Sequence, residues 1–341
     1  MVAGNGSTGR QVRAVAEMIA ARSGNPNDAI RSFSVCIEPF ERSPWADVAW
    51  RFSRLMAGGS PIEFVFSTKD AALRYTVEVA GPELSEHARV DAACDLLGRL
   101  GHTVPASELV REWRSLQAGF SLKWGAWLGV RYGPTGESVK IYVEAPRGMT
   151  SSTVPEAARP PLPGSRLHMI GYEPALGRKE LYFSRVLTDR RELETLLQLV
   201  EGSAQRQALL AAFTDICGMP VDSLLRWITL GYSIASQGEI ESLALALFVR
   251  TKAVVGGAPA LRRKLLQWQF QSGSWMGPYR DLVGPIPDQD LPDHGILTLG
   301  PGTGNDLDLR VGIGAVTLAA RISNILAKPM ACSVPVLAQR N

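Results

Sequence analysis

The chain has 341 residues, is 45% hydrophobic and 20% charged, and carries a formal net charge of +3. This leaves ample apolar material for a large core. So small a charge surplus, with no basic tail and no long like-charge run, argues against a nucleic-acid partner. No window approaches 18 consecutive apolar residues, so no membrane span is expected, and the four cysteines (Cys36, Cys94, Cys217, Cys332) form no CxxC pair, which suits reduced cytoplasmic thiols better than a disulfide framework or a zinc site.

Residues 1–10 are rich in Gly, Ser and Thr, lack the apolar core of a signal peptide, and read as a disordered start to a single domain over 11–341. Apolar spacing of three and four predicts helices at 10–22 and 45–57, the second capped by Ser43 with Pro44 behind it and stopped by Gly58-Gly59. A strand pair, IEFVFS and LRYTVEVA, fills 61–80. Helices at 84–100 and 107–118 lead to a second pair over 121–145, then a Pro/Ser/Thr-rich loop at 147–164 and a third pair over 165–187. Helices at 188–214 and 219–226 precede a fourth pair over 227–252; a helix at 259–270 precedes the fifth, 293–315, and a helix at 316–327 follows it. The ααββ unit thus recurs about five times. The strands come as hairpins rather than singly, which excludes a parallel α/β sheet, and ten antiparallel strands in sequence are enough to close a barrel inside a ring of helices, an α+β architecture.

Alternation along the strands divides their side chains into two faces. Ile62, Phe64 and Phe66 oppose Glu63, Val65 and Ser67; Leu73, Tyr75, Val77 and Val79 oppose Arg74, Thr76 and Glu78; Val139, Ile141 and Val143 oppose Lys140, Tyr142 and Glu144. Trp124, Ala126, Leu128 and Val130 are expected outside, with Lys123, Gly125, Trp127, Gly129 and Arg131 inside. Leu181 and Phe183 oppose Arg178, Glu180, Tyr182 and Ser184, and Leu307, Leu309, Val311 and Ile313 oppose Asp308, Arg310, Gly312 and Gly314. In a single hairpin such a polar face is what any half-solvated sheet shows. Helices between all five pairs must cover one face, which puts the cation-bearing face inside. Several cations converging on one lumen ask for an anion, and a pyrophosphate accepts many charge-assisted hydrogen bonds at once.

These residues resemble the ABBA-fold (PT-barrel) aromatic prenyltransferases, dimethylallyltryptophan-synthase-like branch. The repeat covers most of the chain and is sharpest in three segments. SPIEFVFS with LRYTVEV is similar to the family's first hairpin, which implies Glu63 beside the acceptor and Arg74 on the diphosphate. VKIYVEAP is similar to its K-x-Y strand (Lys140, Tyr142), and GRKELYF to its R-x-K-x-Y strand (Arg178, Tyr182), with Glu180 where the family has Lys. The fourth hairpin reads ALALF where the branch carries another Lys/Tyr anchor; Arg310 on the last strand, where the family tends to have Tyr, and Arg250 are the candidates to compensate.

The resemblance implies transfer of an allylic group from a prenyl diphosphate, dimethylallyl or geranyl, to an electron-rich aromatic acceptor such as an indole, tryptophan or a tryptophan-containing peptide. It implies no membrane and a monomer or homodimer. Arg74, Lys140, Arg178, Arg310, Tyr142 and Tyr182 would hold the diphosphate, Trp127 would shield the carbocation, His168 would line the acceptor pocket, and Glu63 would take the proton. No DDxxD-type cluster is present, so no cofactor is required and Mg²⁺ is at most stimulatory; GPGTGN (300–305) reads as a hairpin turn, since it lacks the GK[ST] ending. Two other readings stay open: tailoring of a ribosomal or cyclic peptide, and a lipocalin-like barrel that binds an anionic apolar ligand without chemistry. A pure binder has no need of the acid Glu63.

Overall fold

Strands that alternate apolar and polar side chains, interrupted by helices, can cover the apolar face with helices and enclose the polar one by curling. The computed structural model describes residues 6–22, 25–56, 58–147, 162–187, 189–200, 202–220, 222–223, 229–236, 246–250, 254–272, 277–301 and 307–326. Its strands are β1 (Ile62–Ser67), β2 (Leu73–Glu78), β3 (Ala126–Gly133), β4 (Gly136–Glu144), β5 (Arg166–Glu173), β6 (Arg178–Val186), β7 (Thr229–Ser236), β8 (Ala246–Arg250), β9 (His294–Pro301) and β10 (Leu307–Gly314). Consecutive strands pair antiparallel, and β10 returns to β1 with Glu63 opposite Gly314 and Ser67 opposite Arg310, so the sheet closes on itself. The helices are α1 (Gly6–Ala20), α2 (Pro26–Glu41), α3 (Ala46–Ala49), α4 (Arg89–Arg99), α5 (Ser107–Gln117), α6 (Arg190–Leu197), α7 (Ser203–Cys217), α8 (Gly257–Ser272), α9 (Gly277–Val283) and α10 (Ala315–Leu326). Among the described residues no helix is long and apolar enough to cross a membrane.

The outward strand residues form the core with the helices: Ile62, Phe64, Leu73, Val77, Leu128, Ile141, Val143, Leu309, Val311 and Ile313 are all fully buried. Phe33 of α2 meets the Tyr75 ring edge-on at 5.0 Å and stacks on Phe64 at 5.9 Å. Cys36, Cys94 and Cys217 are buried free thiols, and burial pushes Cys36 up to about 12; Cys332 lies outside the described residues.

Several local expectations give way. The start expected to be disordered carries helix from Gly6. Helix α2 is an element that periodicity alone did not single out; Asn25 caps it by accepting from the backbone N–H of Asp28 (3.4 Å), with Pro26 in its first turn. The helix expected over 45–57 is only four residues long, because Ser43 turns back to accept the Trp45 N–H (3.0 Å) and Glu78 captures the backbone N–H groups of Arg54 (2.9 Å) and Leu55 (3.2 Å). The other Glu78 oxygen takes the Arg89 guanidinium at 2.7 Å, so this lumen-side acid is a structural tie. The stretch 188–214 splits at Gly202 (φ 82°) into α6 and α7. The loop at 148–161, half of the helix expected at 219–226, the turn at 237–245 and most of GPGTGN lie outside the described residues.

The second hairpin starts later than its sequence suggests. Gly125, at φ 71°, breaks the alternation ahead of β3, and a Cβ there would sit 1.9 Å from the Glu86 carbonyl. Into that turn Glu144 inserts its carboxylate, accepting from the backbone N–H groups of Lys123 (2.9 Å), Trp124 (2.6 Å) and Gly125 (2.8 Å). Gln117 braces the same point by donating to the carbonyls of Gly125 (2.8 Å) and Glu144 (2.9 Å). Removing that carboxylate strands buried donors, each worth about 1–3 kcal/mol. Glu144→Ala is therefore expected to cost about 3 kcal/mol or more in urea unfolding; a loss below about 0.5 kcal/mol would show that the turn does not depend on this acid.

Candidate active site

The register divides the lumen into two ends. At one end lie the short hairpin turns 68–72, 134–135 and 174–177; at the other lie the junctions with helices, which put Glu63, Glu78, Trp127, Glu144, Arg166, Arg250 and Gly314 on one rim.

Nearer the turns the cations gather. Arg74 donates to Asp70 at 2.6 Å, and Arg131 donates to the same Asp70 oxygen at 2.8 Å. Lys140 reaches Glu180 at 2.5 Å, Arg178 reaches Glu173 at 3.2 Å, and Arg310 donates through Nε to Asp308 at 2.9 Å. Arg74 feels the positive charge of Arg310 and Arg131, Lys140 feels that of Arg178, and Arg310 feels Glu180 and Tyr142 beside Lys140, so the five cations form one neighbourhood. Burial and its like-charged neighbours lower Arg74, with Asp70 opposing them. Burial works against Lys140, but the charge and hydrogen bond of Glu180 together with Tyr142 outweigh it and raise Lys140; reciprocally, the charge of Lys140 and hydrogen bonds from Lys140, Ser233 (2.5 Å) and Tyr182 together outweigh burial and keep Glu180 low. The rings of Tyr142 and Tyr182 meet edge-on at 5.7 Å in the same place. Room for them comes from lumen-facing glycines: a Cβ on Gly129 would sit 2.7 Å from the Tyr142 ring, and one on Gly171 would sit 3.0 Å from that of Tyr182. All six expected anion-binding side chains, Arg74, Lys140, Tyr142, Arg178, Tyr182 and Arg310, therefore line one lumen.

Glu63 stands apart from them. It makes no salt bridge to Arg74, whose partner is Asp70. Its side chain is cradled by Gly295 and Gly312, where a Cβ would approach Oε1 to 2.3 Å and 1.8 Å, and by Met56 against Gly295. Oε1 is buried with no hydrogen-bond partner among the described residues. Burial pushes the carboxyl up to about 7, with the Ile296 N–H as the opposing influence. An acid held near neutrality in an apolar niche can exchange a proton at physiological pH.

Trp127 lies on the Glu63 side, stacked on Trp124 at 3.8 Å and 15°, and its Nε1 is buried without a partner among the described residues. Trp124 is thus not an outward residue opposed to Trp127; the Gly125 turn brings both rings together. His168 does not line the inner pocket. It occupies a bulge in β5, where the register slips between Leu167 and Met169, and stands exposed at the helix-side rim. Arg250 also lies on this rim, opposite Ile296 and away from the Asp70 end, so it does not join the five cations. Sequence reasoning passed over Arg131, Asp70, Glu173, Asp308 and Ser233 as site residues. Alternation already placed Arg131 and Asp308 inward, whereas Asp70 sits in a turn where no periodicity speaks. No group of three or more His, Cys, Asp or Glu among the described residues is placed to hold a metal ion.

No family model matches the chain, and no curated protein matches it in sequence. Solved structures do match in fold. The apo form of the prenyltransferase PriB superposes with a TM-score of 0.72 at 13% identity, over 91% of this chain and 97% of its own. The 6-dimethylallyltryptophan synthase of Micromonospora olivasterospora, in complex with DMASPP and Trp, gives 0.69 at 15% identity over 93% and 98%. The 5-dimethylallyltryptophan synthase of Streptomyces coelicolor, with the same two ligands, gives 0.70 at 15% over 93% and 96%. The chain therefore has the fold of these ABBA-type barrels.

Because the folded protein raises the Glu63 carboxyl from 4.5 to about 7, ionisation opposes folding. The penalty is absent below pH 4.5, grows as pH rises, and is complete above about 7. Relative to Glu63→Gln, the wild type is expected to lose on the order of 2 kcal/mol between pH 4.5 and 8, discounted because the side chain opens partly to the lumen. A pH-independent stability difference in urea titrations would show that Glu63 ionises normally.

Proposed function

We propose that this protein is an aromatic prenyltransferase that moves an allylic group from a prenyl diphosphate to an electron-rich ring such as an indole. One observation carries the reading: a single lumen holds a five-cation, two-tyrosine anion site toward one end and both a protonatable acid and an indole pair toward the other. Structures of the same fold that bind DMASPP and Trp support it.

Arg74, Arg131, Lys140, Arg178 and Arg310 hold the diphosphate, with Tyr142 and Tyr182 as further donors. As the allylic C–O bond breaks, its electron pair stays on the diphosphate oxygen, and fixed cations stabilise that growing charge. Trp127 faces the carbocation and excludes water. A π pair of the acceptor ring then forms the new C–C bond, and the Glu63 carboxylate takes the ring proton, so the acceptor rearomatises and Glu63 leaves as the acid. Glu180 replaces a cation with an anion, so the diphosphate must compete with it for Lys140. The basic side chains supply the electrostatic stabilisation that a metal gives elsewhere, and turnover is expected to continue in EDTA.

The test is incubation of the full chain with dimethylallyl or geranyl diphosphate and a panel of aromatic acceptors, read by mass. A prenylated product is expected; none with any pair contradicts the reading and favours a binding barrel. Glu63→Gln is expected to abolish turnover while diphosphate binding survives, and unchanged turnover removes Glu63 from the mechanism. Arg74→Ala is expected to weaken diphosphate affinity by about tenfold or more, the loss of one buried charge-assisted contact. Glu180→Gln is expected to tighten diphosphate binding by freeing Lys140; weaker binding in titration calorimetry would mean that Glu180 organises the site rather than competing with it.

A further inference from the structure

The helix-side rim of the lumen carries cations of a different kind from those inside. The backbone N–H of Lys123 is pinned by Glu144 (2.9 Å), Arg147 lies three residues beyond β4, Arg166 and His168 open β5, and Arg250 ends β8. These groups lie on one rim: although His168 is exposed over much of its surface, desolvation of its ring among its neighbours, and then the charges of Arg166, Arg250, Arg147 and Lys123, push it down to about 4.

Every lumen cation has a carboxylate, but no ion pair joins the side chains of Lys123, Arg147, Arg166 or Arg250 to one among the described residues. Three acids at this end are held elsewhere: Glu78 by Arg89, Glu86 by Arg54, and Glu144 by three backbone N–H groups; Glu63 sits in its own niche of Gly295, Gly312 and Met56. Apolar side chains interleave with the cations, since Ile296, paired with Arg250, is 46% exposed and Val186 is 60% exposed. Lys123 and Trp124 also wall a cleft of about 120 Å³, together with Phe52, Arg54, Glu78 and Glu86.

We propose that this rim docks the acceptor as an acidic peptide, its carboxylates on Arg147, Arg166, Arg250 and Lys123 while its aromatic ring reaches down to Glu63. The proposal rests on the prenyltransferase reading for the fate of the ring, but not for the docking. A lone carboxylate takes one guanidinium in bidentate fashion. Four cations with no ion pair among the described residues, spread from just ahead of β3 to the end of β8, fit a ligand carrying several carboxylates on a chain. Such a rim also steers anionic ligands toward the mouth, an effect that falls with salt.

The test compares two end-blocked, fluorescein-labelled peptides with one central Trp, flanked by Asp/Glu in one and by Asn/Gln in the other. Anisotropy is measured on the full chain and on Arg147→Gln/Arg250→Gln, both exposed positions whose folding is checked by circular dichroism. The acidic peptide is expected to bind at least tenfold tighter at low salt, losing that advantage in the variant and in 0.5 M NaCl, while the neutral peptide binds equally to both proteins. Equal affinity for the two peptides, or an equal loss of both in the variant, overturns the proposal. If the variant impairs free tryptophan while neither peptide binds, the rim serves a single amino-acid carboxylate and the peptide is overturned. Selective binding of the acidic peptide without prenylation by any prenyl diphosphate leaves the docking rim standing and removes the prenyltransferase.

Discussion

Like charges gathered around one lumen repel one another, and burying any of them without a partner is costly. The barrel holds Arg74, Arg131, Lys140, Arg178 and Arg310 together because Asp70, Glu180, Glu173 and Asp308 are built in beside them. Those four carboxylates make the polar interior foldable before any ligand arrives. They also define what can replace them: a ligand that gathers several charge-assisted hydrogen bonds at once, more than a single carboxylate offers. A diphosphate meets that condition.

The same barrel treats two glutamates in opposite ways. Glu180 sits between Lys140, Ser233 and Tyr182 and stays ionised; Glu63 sits against Met56 in a cradle of Gly295 and Gly312 and is raised to about 7. Environment rather than residue type keeps one carboxylate ionised among cations and leaves the other able to exchange a proton, the division of roles that the proposed reaction requires. The register sets the distance between these tasks, since Glu63 lies opposite Gly314 at the rim while Arg310 faces Ser67 at the far end of β1. A substrate spanning the two would present its leaving group at one end and its reacting carbon toward the other.

Most of this was legible in strand alternation. Glu63, Arg74, Lys140, Tyr142, Arg178, Tyr182 and Arg310 all face the lumen as period-two reading places them, because burying one face against helices leaves no freedom of register. The misplacements occur where the period breaks. A bulge between Leu167 and Met169 carries His168 to the rim, and Gly125 turns Trp124 onto Trp127. Helix α2 was hidden because its start is marked by Asn25 and Pro26 rather than by a long apolar period, and the helix expected over 45–57 was cut short by Glu78, a partner distant in sequence. The pairing of each cation with its acid depends on contacts across strands and turns, which no local pattern specifies.

The account turns on where the diphosphate rests. A crystal structure with a non-hydrolysable dimethylallyl thiolodiphosphate tests this directly. The expected result is the diphosphate among Arg74, Arg131, Lys140, Tyr142 and Arg310, with Lys140 released from Glu180 and the allylic chain pointing toward Trp127 and Glu63. A diphosphate held at the rim by Arg166 and Arg250, with the Asp70, Glu180 and Asp308 pairs intact, would contradict it.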